Sequence, residues 1–238
     1  MTFRDRVDAG RRLGERLAHH AGDPSVLVLG LPRGGVPVAA EVARALGAAL
    51  DVYVVRKLGV PGRRELAMGA IASGGVRVVN ASVLAASSVS DDELEAVTRA
   101  EQAELERREL DLRGERPPPA VVGRTVILVD DGIATGSTVR AAIAALRALG
   151  AGRIVVGVPV ASPDTCEELA TEVDEIVCVE RPEPFYAISL WYRDFGQLGD
   201  DEVREVLERG AAESREGGRP DDASEPSERP SQRPPEPS

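Results

Sequence analysis

Four short stretches of this chain, Val26–Gly30, Thr125–Val129, Ile154–Val158 and Ile176–Val179, are apolar at nearly every position, and segments of helical character separate them. A strand with one wet face alternates apolar and polar residues, whereas one that is apolar throughout must be covered on both faces. Strands of the second kind divided by helices are what a parallel sheet requires, so the pattern predicts an α/β fold, a doubly wound, mainly parallel sheet. The helices of this series fall at Val36–Leu46, Ser137–Leu149 and Cys166–Glu172, with a further strand at Asp51–Val55. Gly59–Gly62 reads as a loop, and Ala70–Ala72 and Val76–Val79 flank Ser73-Gly74-Gly75 as a hairpin.

Two helical segments stand outside that series. Phe3–Leu17 places Phe3, Val7, Leu13 and Leu17 at helical spacing. Asp91–Arg113 forms an insertion over about residues 90–113, with Ser90 as N-cap and Glu93 completing a capping box. It is mostly polar, so it lies on the surface or packs one thin stripe on a partner; Glu95/Arg99 and Glu104/Arg108 stand at i,i+4. One domain over residues 1–209 accounts for all of these elements. From residue 210 to 238 the chain is Pro, Ser, Glu, Arg and Gly with seven acids against four arginines. Such a stretch cannot bury enough surface to offset its ordering entropy and is expected to be a disordered tail.

Composition narrows the functional classes. A hydrophobic fraction of 42% supports a sizeable core, while the net charge of −11 argues against a general nucleic-acid or anionic-membrane surface. No apolar run approaches the roughly 20 residues of a membrane helix, and the first 25 residues are charged without an apolar leader core. Cys166 and Cys178 are the two cysteines, too few for a disulfide framework, so a cytoplasmic location is expected. Of the 29 basic residues only Lys57 is lysine. In a chain that otherwise uses Arg, it marks a place that calls for a compact, movable ammonium.

The chemistry is concentrated in Val126-Ile-Leu-Val-Asp130-Asp131-Gly132-Ile133-Ala134-Thr135-Gly136-Ser137-Thr138. An apolar strand delivers two adjacent carboxylates to its carboxyl end, where open α/β sheets bind ligands. Successive amides over Ala134, Thr135, Gly136, Ser137 and Thr138, at the positive end of a helix, form a concave anion site sized for a phosphate monoester. The hydroxyls of Thr135, Ser137 and Thr138 add donors. Asp130 and Asp131 stand about a sugar's width away, able to accept from vicinal ribose hydroxyls or to hold a hydrated Mg²⁺. The loop therefore suits a ligand with a phosphate at one end and a diol at the other.

This segment resembles the phosphoribosyl-diphosphate (PRPP) signature of the type I phosphoribosyltransferases, and the similarity extends over about residues 3–207. The resemblance implies that Asp130 and Asp131 contact the ribose hydroxyls, and any Mg²⁺ through them or through water, while Ala134–Thr138 bind the 5′-phosphate. Ser137 stands where the usual loop has Gly or Ala. The resemblance also implies that Arg33, Gly34 and Gly35, in Gly30-Leu-Pro-Arg33-Gly34-Gly35, grip the pyrophosphate, often through an unusual peptide geometry. Val52–Arg64 holds four cations and no acid. By the same resemblance Arg56 and Lys57 contact the diphosphate and Gly59–Glu65 forms a mobile lid, on which Glu65 is an expected proton shuttle for the acceptor. Five of the seven aromatics lie in 185–195, an expected hood in which Phe185 or Tyr186 stacks on the acceptor and Asp194 reads its edge. The implied partners are PRPP and a small nitrogen acceptor, a nucleobase first, in a homodimer; the alternative is a PRPP- or nucleotide-sensing regulator without turnover. His19 and His20 lack a Cys or carboxylate at ligand spacing, so no metal is expected there.

Overall fold

The computed structural model describes residues 2–216. Five parallel strands form the main sheet in the order β2-β1-β6-β7-β8: β1 (Val26–Gly30), β2 (Ala49–Val52), β6 (Thr125–Val129), β7 (Arg153–Val160) and β8 (Glu175–Glu180). Its register explains the continuous apolar runs. Leu27, Leu29, Leu128, Ile154 and Val156 face α5 (Ser137–Ala148) and α6 (Pro163–Ala170). Their neighbours Val26, Val28, Ile127, Val129 and Val155 face α1 (Arg6–Arg16) and α2 (Gly35–Leu46). Alternate side chains thus enter two separate cores, and both must be apolar.

The second sheet is antiparallel, in the order β3-β4-β5: β3 (Val55–Val60), β4 (Arg63–Ala72) and β5 (Val76–Val79). Its existence corrects two expectations. The anticipated strand Asp51–Val55 is cut at Tyr53-Val54, where the chain leaves one sheet for the other. The anticipated loop Gly59–Gly62 is mostly strand: only Pro61-Gly62 turns, because register shifts around Gly59 let pairing continue almost to the tip. The Ser73–Gly75 turn joins β4 to β5 as expected.

Helix α3 (Ala81–Ser87) leads to α4 (Asp91–Arg113), which has the predicted bounds and the Ser90/Glu93 capping box. Its thin stripe of Leu94, Leu105 and Leu112 packs on Leu58, Met68 and Ile71 of the small sheet and on Val203 and Leu207 of α7 (Asp200–Glu216). The expected i,i+4 pairs are replaced, since Glu95 bonds to Arg77 and Glu104 to Arg107. Helix α1 starts at Arg6 behind an Asp5 cap, leaving Phe3 free to bury against Tyr192. Helix α6 begins three residues before Cys166 because Ser162 caps it and Pro163 fits its first turn. Helix α7 continues past the expected tail boundary at residue 210, since Val203 and Leu207 anchor it; residues 217–238, most of that expected tail, lie outside the described residues. His19 and His20 do find a carboxylate, Glu175, contributed by β8 more than 150 positions away. No helix among the described residues is long and apolar enough to cross a membrane.

Arg113 ties the end of α4 to the main sheet. Its buried guanidinium bonds to the Val52 carbonyl at 2.6 Å, to Asp51 at 3.2 Å and to Glu109 at 3.2 Å. Removing one partner of such a group leaves the others unanswered. Arg113→Met is expected to lower the unfolding free energy by about 3 kcal/mol, read from urea denaturation midpoints; a change below about 1 kcal/mol would contradict this role.

Candidate active site

The chain runs from β1 out to the edge strand β2 and later returns to β6 on the other side of β1. The loops that follow β1 and β6 therefore diverge at the sheet's switch point, and the crevice between them is where such folds bind ligands. Gly30 pairs with Val129, so the Leu31–Gly34 loop and the acids Asp130 and Asp131 start level with one another. The two loops are in contact. A Cβ on Gly34 would overlap the Asp131 carboxylate, and one on Gly35 would lie 2.5 Å from the Val129 carbonyl oxygen and 2.8 Å from the Asp130 Cα. The Pro32–Arg33 peptide is cis, in line with the unusual geometry the resemblance implied.

Asp130 is partly buried, and one of its carboxylate oxygens accepts the Asp131 amide at 2.9 Å. Burial holds its carboxyl well above the ordinary range, and the neighbouring Asp131 charge pushes the same way. Burial also raises Asp131, opposed by Arg6, whose Nε donates to Asp131 Oδ2 at 2.8 Å. Two adjacent, partly buried carboxylates answered, among the described residues, by one guanidinium are a donor set that a hydrated divalent cation or a diol fits. Beyond them, Gly136 sits at φ +70° as the N-cap of α5, with no side-chain cap. The first-turn amides of Ser137 and Thr138, which no helical carbonyl can reach, point outward at the positive end of the helix. Thr165 of α6 braces the loop by donating to the Ala134 carbonyl at 2.8 Å.

The basic residues divide. Lys57 on β3 reaches the start of α5, its Nζ 3.3 Å from Ser137 Oγ. Arg56, its neighbour on the opposite face of the strand, is instead paired with Glu101 of α4 at 2.6 Å. Arg33 leaves the glycine loop toward α7, bonding Asp200 at 2.7 Å, and Arg108 of α4 meets the same carboxylate at 3.3 Å. A cavity of about 430 Å³ opens there, lined by Arg6, Arg33, Gly34, Arg108 and Leu198. A larger one, about 550 Å³, lies between α2 and α7 and includes neither the acid pair nor the glycine loop. The smaller cavity borders the glycine loop, and the acid pair is in the lining of neither. Glu65 is exposed near the tip of the β3–β4 hairpin, with no hydrogen bond to the acid pair.

The hood meets the acids through residues the sequence did not single out. Tyr192 Oη donates to the Asp131 carbonyl at 2.6 Å. Arg6 also donates to the Gly196 carbonyl at 2.9 Å and lies 4.0 Å over the Phe195 ring. Of the three expected acceptor residues, Phe185 is partly buried in the hood core, Tyr186 is exposed, and Asp194 caps the Gly196 amide at 3.2 Å. The only advance signal for Arg6 was its position in the first turn of a helix, which does not distinguish it from other arginines.

Fold and site together define an α/β domain in which an acid pair and a glycine turn meet at the switch point of its sheet. The family model of the phosphoribosyl transferase domain matches residues 4–188, and the chain belongs to that family. Over 224 residues it is 47% identical to a Mycobacterium tuberculosis protein (strain ATCC 25618 / H37Rv) named "Putative phosphoribosyl transferase Rv0571c", and equally to its counterpart in strain CDC 1551 / Oshkosh. Each alignment takes in 94% of this chain and 50% of the relative, so the chain spans about half the length of the curated relatives it matches. The crystal structure of TT1426 from Thermus thermophilus is similar at a TM-score of 0.79 and 44% identity, covering 87% of this chain and 98% of that one.

The raised acids set a pH dependence. Between the ordinary Asp value of 3.8 and its raised value in the fold, Asp130 holds a proton that the unfolded chain has released. Stability of the ligand-free protein therefore falls as pH rises through that window. Asp8, Asp174 and Asp200, which are lowered, act in the opposite sense and below 3.8. Asp130→Asn is expected to flatten this fall and to raise the neutral-pH Tm, each 1 kcal/mol appearing as about 2–4 °C at this chain length. Thermal melts across about pH 4–8 check it; an unchanged or lowered Tm at neutral pH contradicts it.

Proposed function

We propose that this chain transfers the ribose 5-phosphate unit of PRPP to a nitrogen acceptor, a nucleobase first, and releases pyrophosphate. The observation that carries the reading is the contact between the two loops: the acid pair touches the Gly34-Gly35 turn, and the loop that carries the acids runs on to the uncapped α5 terminus. That spacing suits a ligand with a phosphate at one end, a diol in the middle and a diphosphate at the other.

In this reading the amides of Ala134–Thr138 and the Thr135, Ser137 and Thr138 hydroxyls hold the 5′-phosphate, and Lys57, expected on the diphosphate, reaches it from its place beside Ser137. Asp130 and Asp131 accept from the ribose hydroxyls and keep negative charge near the anomeric carbon as the bond to the leaving group lengthens. The Gly34 and Gly35 amides and the Arg33 guanidinium hold the pyrophosphate once Arg33 turns from Asp200. Arg56 would join them only by leaving Glu101. Mg²⁺, when bound, neutralises part of the diphosphate charge. The chain's own work is to orient the sugar and stabilise the departing anion. The β3–β4 tip closes over the crevice and brings Glu65 to the acceptor's proton. The hood receives the acceptor, with Phe185 or Tyr186 stacking on it and Asp194, released from Gly196, reading its edge. The same reading makes the protein a cytoplasmic homodimer.

Pyrophosphate release from PRPP and Mg²⁺ against a panel of purines, pyrimidines and other nitrogen acceptors tests it. Turnover with at least one acceptor, abolished by Asp131→Asn, is expected; PRPP binding without turnover on any acceptor would identify a sensor instead. Lys57→Met is expected to raise the KM for PRPP about 10- to 100-fold, the worth of one charge-assisted bond. An unchanged KM would remove Lys57 from the site.

A further inference from the structure

The only two histidines of the chain converge on one carboxylate at the end of the molecule opposite the crevice. His19 and His20 lie in the single 3₁₀ turn that follows α1, and Glu175 is the first residue of β8, at the amino end of the strands. Their Nε2 atoms stand 2.8 Å and 3.2 Å from the two oxygens of Glu175, and one ligand atom from each residue lies within 4.8 Å of the other two. The rings are 4.2 Å apart and tilted, His20 is buried and His19 half-exposed, so the trio is anchored on one side and open to solvent on the other.

Tethering α1 to the sheet would need one imidazole–carboxylate bond. Here both rings present the same nitrogen to one acid, which is how two histidines and a carboxylate surround an ion. We propose that His19, His20 and Glu175 form a site for a borderline transition-metal dication, Zn²⁺ foremost, with water completing the shell. Two imidazole nitrogens and one carboxylate oxygen are a donor set Zn²⁺ accepts in tetrahedral geometry, whereas Mg²⁺ and Ca²⁺ require oxygen. The ion takes the place of the imidazole–carboxylate hydrogen bonds, each ring coordinating through Nε2 with its proton on Nδ1. Arg153 Nη2, 3.0 Å from Glu175 Oε2, already engages that oxygen and leaves Oε1 as the ligand. Orientation of a ligating carboxylate by such a partner is the usual role of an outer-sphere group. The ion would staple the 3₁₀ turn that follows α1 to β8, while the first turn of α1 carries Arg6 to Asp131.

The test uses the full chain, stripped with a chelator and titrated with Zn²⁺ alone near neutral pH. One ion per chain and a rise in Tm are expected, and Co²⁺ should give the visible absorption of a tetrahedral centre, bleached by Zn²⁺. His19→Ala, whose side chain is half-exposed, keeps the test informative if the buried His20→Gln does not fold. His19→Ala and Glu175→Gln should each weaken binding by more than the roughly 10- to 100-fold that outer-sphere partners contribute. Asp131→Asn should leave it unchanged, separating this site from the crevice. Failure to bind Zn²⁺, or binding that survives His19→Ala and Glu175→Gln undiminished, overturns the assignment.

Discussion

Gly35 has no room for a methyl group, since a Cβ there would stand 2.5 Å from the Val129 carbonyl, and at Gly34 the same atom would overlap the Asp131 carboxylate. The loop after β1 and the loop after β6 lie side by side only because two consecutive positions lack side chains. That contact decides what the crevice can hold. It brings a turn rich in backbone donors against a pair of carboxylates. Within the same few ångströms it offers one surface that attracts anions and another that accepts from hydroxyls. The parallel sheet supplies the rest by starting both loops from paired strands at its centre.

The crevice is electrostatically unfinished in the ligand-free protein. Asp130 and Asp131 are both partly buried with, among the described residues, a single nearby guanidinium, Arg6, so desolvation raises both carboxyls and the Asp131 charge raises Asp130 further. A ligand or cation that relieves this gains affinity because the fold has already borne the cost of assembling the acids. Arg6 belongs to α1, and its ring contact with Phe195 and bond to Gly196 make the hood part of the same arrangement. Similarly, Asp200 at the start of α7 gathers Arg33 and Arg108 from two other elements.

What the sequence made legible follows from how local each signal is. Val26–Gly30, Thr125–Val129 and Asp91–Arg113 have their expected bounds because double-sided burial and a Ser90/Glu93 capping box are written in consecutive residues. The acid pair and the small-residue loop were legible for the same reason. The break at Tyr53-Val54 was hidden because Val52–Val55 is uninterruptedly apolar, and a change of sheet leaves no mark in such a run. The hairpin tip was masked by Gly59, Pro61 and Gly62, which suggest a loop, although only two residues turn. Arg6 could not be found by inspection, since its partner Asp131 is 125 positions away and arginine is the common cation of this chain. Arg56 beside Lys57 suggested one basic pair, but strand geometry sends successive side chains to opposite faces, one to Glu101 and the other to Ser137. Glu175 was likewise invisible to a search for nearby ligands around His19 and His20.

The central claim is that one ligand spans the loops after β1 and β6. A crystal structure of the protein with PRPP and Mg²⁺ tests it most directly. The account predicts the 5′-phosphate against the Ala134–Thr138 amides, the ribose hydroxyls within hydrogen-bond reach of Asp130 and Asp131, and the diphosphate over Gly34 and Gly35. A phosphate seated elsewhere, such as the cavity between α2 and α7, with the two loops left empty, would contradict it.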